Sequence, residues 1–157
     1  MTSLLAGAVL LASSGVADLP PRIQEPGLWR IKSIEEGRTY SLEYRKSATE
    51  QAEQSGVSVK FPADGAMILE FCIPPEGSRT EWKSTLPEGC KFDALKSVAD
   101  TVEYSISCEN PAHSSEGTYN SPGPQEYKFV SIKSNGFRTE TTGKRISDCP
   151  SQVSPKK

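Results

Sequence analysis

The sequence predicts a mainly β fold, an antiparallel meander of about eight short strands that either stays half open or closes into a barrel. Three observations lead to this class. Short segments alternate apolar with polar side chains, turn residues separate them at intervals of roughly eight to twelve residues, and no segment has the long amphipathic periodicity of a helix. With 157 residues, the chain has the length of one domain.

The N-terminal segment has the features of a cleaved secretory signal. Residues 1–17 carry no charge, and the apolar run at 4–12 is too short to span a bilayer. Small residues precede a predicted cut after Ala17. No Lys or Arg precedes the run, which indicates either a start codon placed too far downstream or a weak signal. The predicted division of the chain is signal peptide 1–17, extended lead-in 18–25, single domain 26–150 and disordered tail 151–157.

The mature chain opens with two predicted strands. Residues 28–34 alternate, with Trp29 and Ile31 on one face and basic residues on the other. A glycine-containing turn at 35–38 separates them from a second alternating segment at 40–44. These two strands are expected to pair as a hairpin.

Two further strands follow a polar segment. Residues 46–56 contain no large apolar side chain, which predicts a surface loop or one short exposed helix. Alternation at 57–61 and a mostly apolar run at 66–73 predict strands. The sequence PADG at 62–65 predicts a type I turn between them, because Pro presets φ and Gly closes the turn.

The second half contains the cysteine-bearing strands and a C-terminal hairpin. We expect irregular structure at 76–89 anchored by Trp82 and Leu86, strands at 90–95 and 102–108, a loop at 110–117 and a break at 120–124. An Asn-Gly pair at 135–136 predicts a two-residue type I′ turn between strands 127–133 and 137–146. That turn places Val130 and Ile132 opposite Thr141 and Thr139.

Four cysteines in an exported chain predict two disulfides, since an even number in an oxidising compartment usually forms bridges. They are Cys72, Cys90, Cys108 and Cys149. A turn centred on Ala99 places Cys90 directly opposite Cys108, within bridging reach, whereas a two-residue turn at Ala99 and Asp100 shifts the register by one and removes the opposition. The first alternative leaves Cys72 to pair with Cys149.

The remaining composition indicates a protein that is not an enzyme. A net charge of −2 provides no field for nucleic acid, and a single histidine excludes the usual multi-histidine metal sites. His113 with Ser114 and Ser115 lacks a third catalytic group, and Glu35 with Glu36 are neighbours in a turn whose side chains point apart. We therefore expect no catalytic residue, cofactor or metal. No second apolar run predicts a transmembrane segment.

Aromatic residues are the remaining candidates for a binding function. Set inside a curved sheet, they either form the core or line a groove for an apolar ligand. We expect a non-enzymatic protein that binds an envelope partner or a small apolar ligand; the alternative is a structural or assembly accessory of the cell envelope. The candidate groove or core residues are Trp29, Tyr44, Trp82 and Phe129.

The order of short motifs resembles a known bacterial family. The motifs are PGLWRI, FCIPPE, GCKF, YSISCE and GKRISDCP, and together they resemble domain of unknown function 3617. The closing pattern of that family, G-x-R-x-G-D-C, is matched at Gly143, Arg145, Asp148 and Cys149, while Ser147 stands where Gly is usual. The resemblance implies a small β-rich fold in the periplasm of Gram-negative bacteria. It implies no activity and no catalytic residue.

Overall fold

A computed structural model of the chain describes residues 22–82, 86–110 and 112–150. The predicted signal peptide, the lead-in before Arg22 and the predicted tail lie outside the described residues. The elements in chain order are β1 (Arg22–Gln24), β2 (Gly27–Glu35), α1 (Leu42–Gln54), β3 (Ser58–Lys60), β4 (Met67–Ile73), β5 (Ser78–Thr80), β6 (Cys90–Val98), β7 (Thr101–Glu109), β8 (Ala112–Gly123), β9 (Glu126–Lys133) and β10 (Arg138–Ser147).

The predicted mainly β, antiparallel class is confirmed. Eight strands form one sheet in the order β3-β4-β2-β10-β9-β8-β7-β6, and β1 pairs with β5 in a separate ribbon. Strands β6 to β10 are the predicted meander. The sheet has two ends, β3 and β6, which are not hydrogen-bonded to each other, so it is not a closed barrel and that alternative is wrong. The described residues hold ten strands rather than about eight, because short β1 and β5 add the ribbon.

The predicted strand at 40–44 is wrong, and so is its hairpin with the first strand. Ser41 is the N-cap of α1, and its hydroxyl accepts a hydrogen bond from the Tyr44 backbone N–H at 3.1 Å. Alternation over so few residues does not distinguish a strand from the start of a helix: Tyr40 precedes the cap, Tyr44 lies in the first helical turn, and their ring centroids are 5.3 Å apart. Strand β2 pairs instead with β4 and β10. The exposed-helix alternative for residues 46–56 is confirmed within α1.

The predicted loop at 110–117 is also wrong from residue 112 onward. Strand β8 begins at Ala112 and lies between β7 and β9, so its polar residues are held by backbone pairing on both sides. Gly117 has no Cβ, and Tyr104 and the backbone of Val130 occupy the space that a Cβ would need. The expected break at 120–124 is wrong for residues 120–123, because β8 continues to Gly123 with a register shift between Asn120 and Gly123, and the chain turns only after it.

The C-terminal hairpin forms with a register one residue away from the prediction. The Lys133 backbone N–H donates to the Phe137 carbonyl at 2.9 Å, leaving a three-residue loop that ends at Gly136 with a φ of 85°. Val130 therefore faces Glu140, and Ile132 faces Arg138. The Asn-Gly signal located the hairpin correctly but not its loop length.

Both predicted disulfides, Cys90–Cys108 and Cys72–Cys149, are confirmed. The turn before β7 has two residues, with Ala99 at a φ of 54°, which alone would offset the cysteines. A β-bulge between Phe92 and Ala94 shifts the register back and places Cys90 opposite Cys108. The bulged residue, Asp93, accepts a hydrogen bond from the Ser107 hydroxyl at 2.9 Å.

The core lies on one face of the sheet and is thin. Trp29 is fully buried and packs with Ile31 and Ile73, while Trp82, Val102 and Tyr119 form a second cluster. Tyr127 packs against both clusters. Of the four candidate aromatics, Trp29 and Trp82 are buried, half-buried Phe129 stacks on Tyr104 at 5.4 Å, and Tyr44 is 42% exposed outside the core.

Candidate functional site between β2 and the end of β10

Arg145 joins β10, the last strand, to the start of β2, the first strand of the large sheet, and we call this junction the interlock. Its Nε donates to the Pro26 carbonyl at 2.6 Å, and its terminal nitrogen forms an ion pair with Asp148. Gly27 makes this approach feasible, since a Cβ there would lie 2.6 Å from the Arg145 Nε. A register shift between Arg145 and Ser147 turns the end of β10 toward this contact. The guanidinium of Arg145 thus fastens the end of β10 to the start of β2.

Gly143, the glycine of the closing motif, lies near this contact between β2 and β10. Gly143 pairs with Ile31 on one side and Tyr127 on the other, and the Tyr127 ring occupies the space over it. That ring also stacks on Trp29 at 6.3 Å. The Trp29 indole N–H donates to the Glu25 carbonyl at 2.8 Å, so the buried ring leaves no indole donor unpaired.

The Cys72–Cys149 disulfide completes the interlock. Cys72 pairs with Leu28 across β4 and β2, and Cys149 lies just beyond the end of β10, the strand on the other side of β2. The two Cα atoms are 5.7 Å apart, about the spacing of neighbouring chains, so the segment that follows β10 passes beside the start of β2 and reaches β4. Gly143 and Arg145 thus have partners in the opening PGLWRI motif, and Asp148 holds the guanidinium of Arg145, which explains why Arg145 and Asp148 occur together.

A concavity of about 830 Å³ opens beside this disulfide. Its wall is mostly apolar, with the Arg145–Asp148 ion pair on one side. The volume falls within the range of about 300–1,000 Å³ that is typical of small-molecule sites. We call this surface the clasp concavity. Its principal lining residues are Leu28, Phe71, Cys72, Ile73, Pro74, Pro75, Cys149 and Pro150.

Ion pairs cover the opposite face of the sheet. Arg30 contacts Glu70 at 2.7 Å, and Lys128 contacts Glu140 at 2.9 Å. The hydrogen bond from Arg30 is the main cause that lowers the pKa of Glu70, and the hydrogen bond from Lys128 does the same for the pKa of Glu140. On this face, these carboxylates are therefore neutralised by neighbouring basic side chains.

The Glu70 pair predicts a pH-dependent contribution to stability. Because the pKa of Glu70 is lowered in the folded state, its contribution is present above the unfolded pKa of about 4.3 and is lost as the pH falls through the folded value. We expect Glu70→Gln to lower the free energy of unfolding by about 0.5 kcal/mol at pH 7 and by about zero at pH 3. Thermal melts at both pH values measure this difference.

The control for this prediction is Glu103→Gln. Glu103 is exposed on β7 and has no ion pair within the described ranges. Its substitution should leave the melting temperature unchanged at both pH values. A Glu70→Gln difference that stays constant from pH 7 to pH 3 would contradict the ion-pair explanation.

The residues that the sequence offered for catalysis are not brought together. His113, Ser114 and Ser115 lie on β8, where successive side chains alternate between faces. Glu35 is paired with Arg38 at 2.7 Å. Burial raises the pKa of Tyr104, Tyr119 and Tyr127, which keeps these core phenols neutral.

Sequence reasoning missed the lining of the clasp concavity. That Pro74, Pro75 and Pro150 line a common surface was not predicted. The available signal was their position, since a proline follows closely after each cysteine of the Cys72–Cys149 pair.

The described part of the chain has neither a metal-type cluster nor a membrane-crossing helix. Within these ranges, no three His, Cys, Asp or Glu side chains are grouped so that they could hold a metal ion. No helix there is both long enough and apolar enough to cross a membrane.

Comparison with known proteins identifies one relationship. No curated protein and no solved structure matches the chain. A family model described as a protein of unknown function, DUF3617, matches residues 24–149 and so spans both ends of the interlock, from Glu25 to Cys149. The resemblance seen in the motifs is thereby confirmed, and the chain belongs to the DUF3617 family.

Proposed function

We propose that the protein is an exported, periplasmic, non-enzymatic binding protein that holds a small apolar ligand in the clasp concavity. The observation that carries the proposal is the concavity itself, about 830 Å³ with a wall of Leu28, Phe71, Ile73 and prolines. Apolar lining with few polar groups suits a ligand recognised mainly by burial of its surface.

The charges at the concavity favour a neutral ligand. Arg145 is already engaged by the Pro26 carbonyl and by Asp148. Because both of these acceptors hold the guanidinium, little of its charge remains for an anion. An uncharged apolar molecule would make contact without breaking this junction.

Three features support export and a non-catalytic role. The uncharged apolar segment at 1–17 has the pattern of a secretory signal, and two disulfides suit an oxidising compartment. Glu70 and Glu140, two carboxyl groups with a lowered pKa, form ion pairs outside the clasp concavity. The lining thus offers a binding surface rather than an acid–base pair.

The test uses the neutral fluorescent probe N-phenyl-1-naphthylamine with the purified, oxidised protein. We expect saturable binding that becomes about tenfold weaker in Pro75→Glu, because a carboxylate would then project into an apolar wall. Pro75 is exposed and offers no backbone N–H, so the substitution should preserve the fold, as circular dichroism would verify.

The matched control is Pro122→Glu, an exposed proline outside the clasp concavity. It should bind the probe as the wild type does. Absence of saturable binding, or equal binding by Pro75→Glu, would overturn the proposal. If the wild-type protein binds the probe, native mass spectrometry of protein isolated from the periplasm should identify the natural ligand.

A structural accessory of the envelope is the second candidate. It is favoured by exposed apolar residues at the start of α1, where Leu42 is 84% exposed and Tyr44 is 42% exposed. Arg38 lies over the Tyr40 and Tyr44 rings at 5.1 Å and 5.8 Å, a combination of residue types common in interface hot spots. Leu42→Ser should abolish recovery of a consistent envelope partner in this case while leaving probe binding unchanged.

A further inference from the structure

A second concavity, distinct from the clasp, is organised around Arg22. It has a volume of about 410 Å³ and is lined by residues of β1 and of the turn between β6 and β7. We call it the Arg22 concavity. Its lining residues are Arg22, Ile23, Trp82, Ser97, Asp100, Val102, Tyr119, Ser121 and Pro124.

Two buried rings hold the guanidinium of Arg22 in place. Its carbon lies 5.4 Å from the centre of the Trp82 ring and 5.5 Å from that of Tyr119. These rings meet edge to face, with an interplanar angle of 82°, and are only 6% and 5% exposed. The cation therefore rests in an aromatic corner whose walls are fixed by the core, so little order is lost when it binds a ligand.

The charge of Arg22 lacks an opposite partner among residues 22–82, 86–110 and 112–150. No carboxylate in these ranges forms an ion pair with it, and its Nε is buried without a hydrogen-bond acceptor. Leaving such a donor unpaired costs about 1–3 kcal/mol. Arg145 provides the contrast within the same molecule, since its Nε and a terminal nitrogen both have acceptors.

The residues that line the Arg22 concavity indicate the chemical class of its ligand. Ile23, Val102 and Pro124 supply apolar surface, and a lone guanidinium suits one bidentate carboxylate. Asp100 also lines the concavity, and its repulsion of a group with two negative charges would be twice its repulsion of a single carboxylate, against the one guanidinium of Arg22. The combination points to a single negative charge on an apolar body.

We infer that the Arg22 concavity binds a small amphiphile that carries one carboxylate, with the carboxylate on the Arg22 guanidinium and the apolar body against Ile23 and Val102. This inference is independent of the proposed function, because it concerns a different concavity and a charged ligand. An apolar ligand at the clasp can fail while a carboxylate binds at Arg22, and the reverse also holds.

The test titrates the purified, oxidised protein with decanoate and, separately, with decanol at pH 7, followed by nuclear magnetic resonance. The Arg22 Nε–H is shielded from solvent and lies beside two rings, so its signal reports on this concavity alone. We expect decanoate to shift this signal and the Trp82 indole signal, with an affinity about tenfold or more above that of decanol. Signals from Leu28 and Ile73 report separately on the clasp.

Arg22→Gln should reduce decanoate affinity by about tenfold or more and leave that of decanol unchanged. Arg79→Gln is the matched control, because Arg79 lies on the paired strand β5, is exposed and already has Glu81 as a partner. It removes the same charge and should leave both affinities unchanged. Equal affinities for decanoate and decanol in the wild type, or an unshifted Arg22 Nε–H signal, would overturn the inference without requiring a variant to fold.

Discussion

Replacing Cys72 and Cys149 together by alanine is expected to lower the free energy of unfolding of the oxidised protein by about 4.5 kcal/mol. The two residues are 77 apart in sequence, and a bridge over so long a loop removes much of the entropy of the unfolded chain. Small domains have a total stability of about 5–15 kcal/mol, so this loss would take away a large fraction of it. The thin core, with Trp29 as its one fully buried large side chain among the described residues, offers little to offset it.

The matched comparison is the double replacement of Cys90 and Cys108 by alanine. Their separation of 18 residues predicts a smaller loss of about 3 kcal/mol, although both bridges join neighbouring parts of the same sheet. Urea unfolding followed by tryptophan fluorescence measures both variants. An equal or larger loss in the Cys90/Cys108 variant would contradict the ranking by loop length.

Gly27→Ala is expected to destabilise the protein by about 3 kcal/mol or more. The backbone φ of Gly27 is 138°, a region that residues with a Cβ rarely adopt and that costs about 1–3 kcal/mol. The added Cβ would also lie 2.6 Å from the Arg145 Nε and 2.7 Å from the Ser147 carbonyl. Relief requires Arg145 and the end of β10 to move, which costs about 1–3 kcal/mol more.

Gly136→Ala separates the two causes. Gly136 also has a positive φ, 85°, but no atom lies within 4 Å of its added Cβ. We expect a loss of about 1 kcal/mol from conformation alone. Urea midpoints of both variants give the comparison. If Gly27→Ala were no worse than Gly136→Ala, the interlock around Arg145 would not be under the spatial constraint described above.

The cysteine pairing shows what the sequence could and could not predict. Opposing strands around Cys90 and Cys108 were visible as alternation, and the pairing followed from their symmetry about Ala99. The bulge at Asp93 was not visible, because an extra residue in a strand leaves no local mark in the apolar pattern. The pairing was therefore correct although the turn that was meant to produce it has a different length.

The errors share a physical origin. At Tyr40 and Tyr44, alternation over a few residues fits both a strand and a helix, and the cap at Ser41 decided between them. In β8, polar composition indicated a loop, but central position in a sheet overrode that preference. At Gly136, the same Asn-Gly pair served a loop one residue longer than expected.

The candidate sites were less accessible to sequence reasoning than the fold. The closing motif was recognised, but its partners at Pro26 and Gly27 are more than 100 residues away in the chain. No local pattern links residues across such a distance. The site at Arg22 could not be predicted for the same reason. Arg22 lies in β1, whereas the two rings that contact it come from β8 and from the segment after β5.

The central position of β10 also governs the order in which the chain can fold. As the last strand of the domain, it inserts between β2, the first strand of the large sheet, and β9. Without β10, the native strand order is divided into two separate half-sheets, β3-β4-β2 and β9-β8-β7-β6, each with an open edge. The pairing of β2 with β10 joins segments about a hundred residues apart, and contacts of such high contact order form slowly, so we expect the joining of the two half-sheets to limit the folding rate.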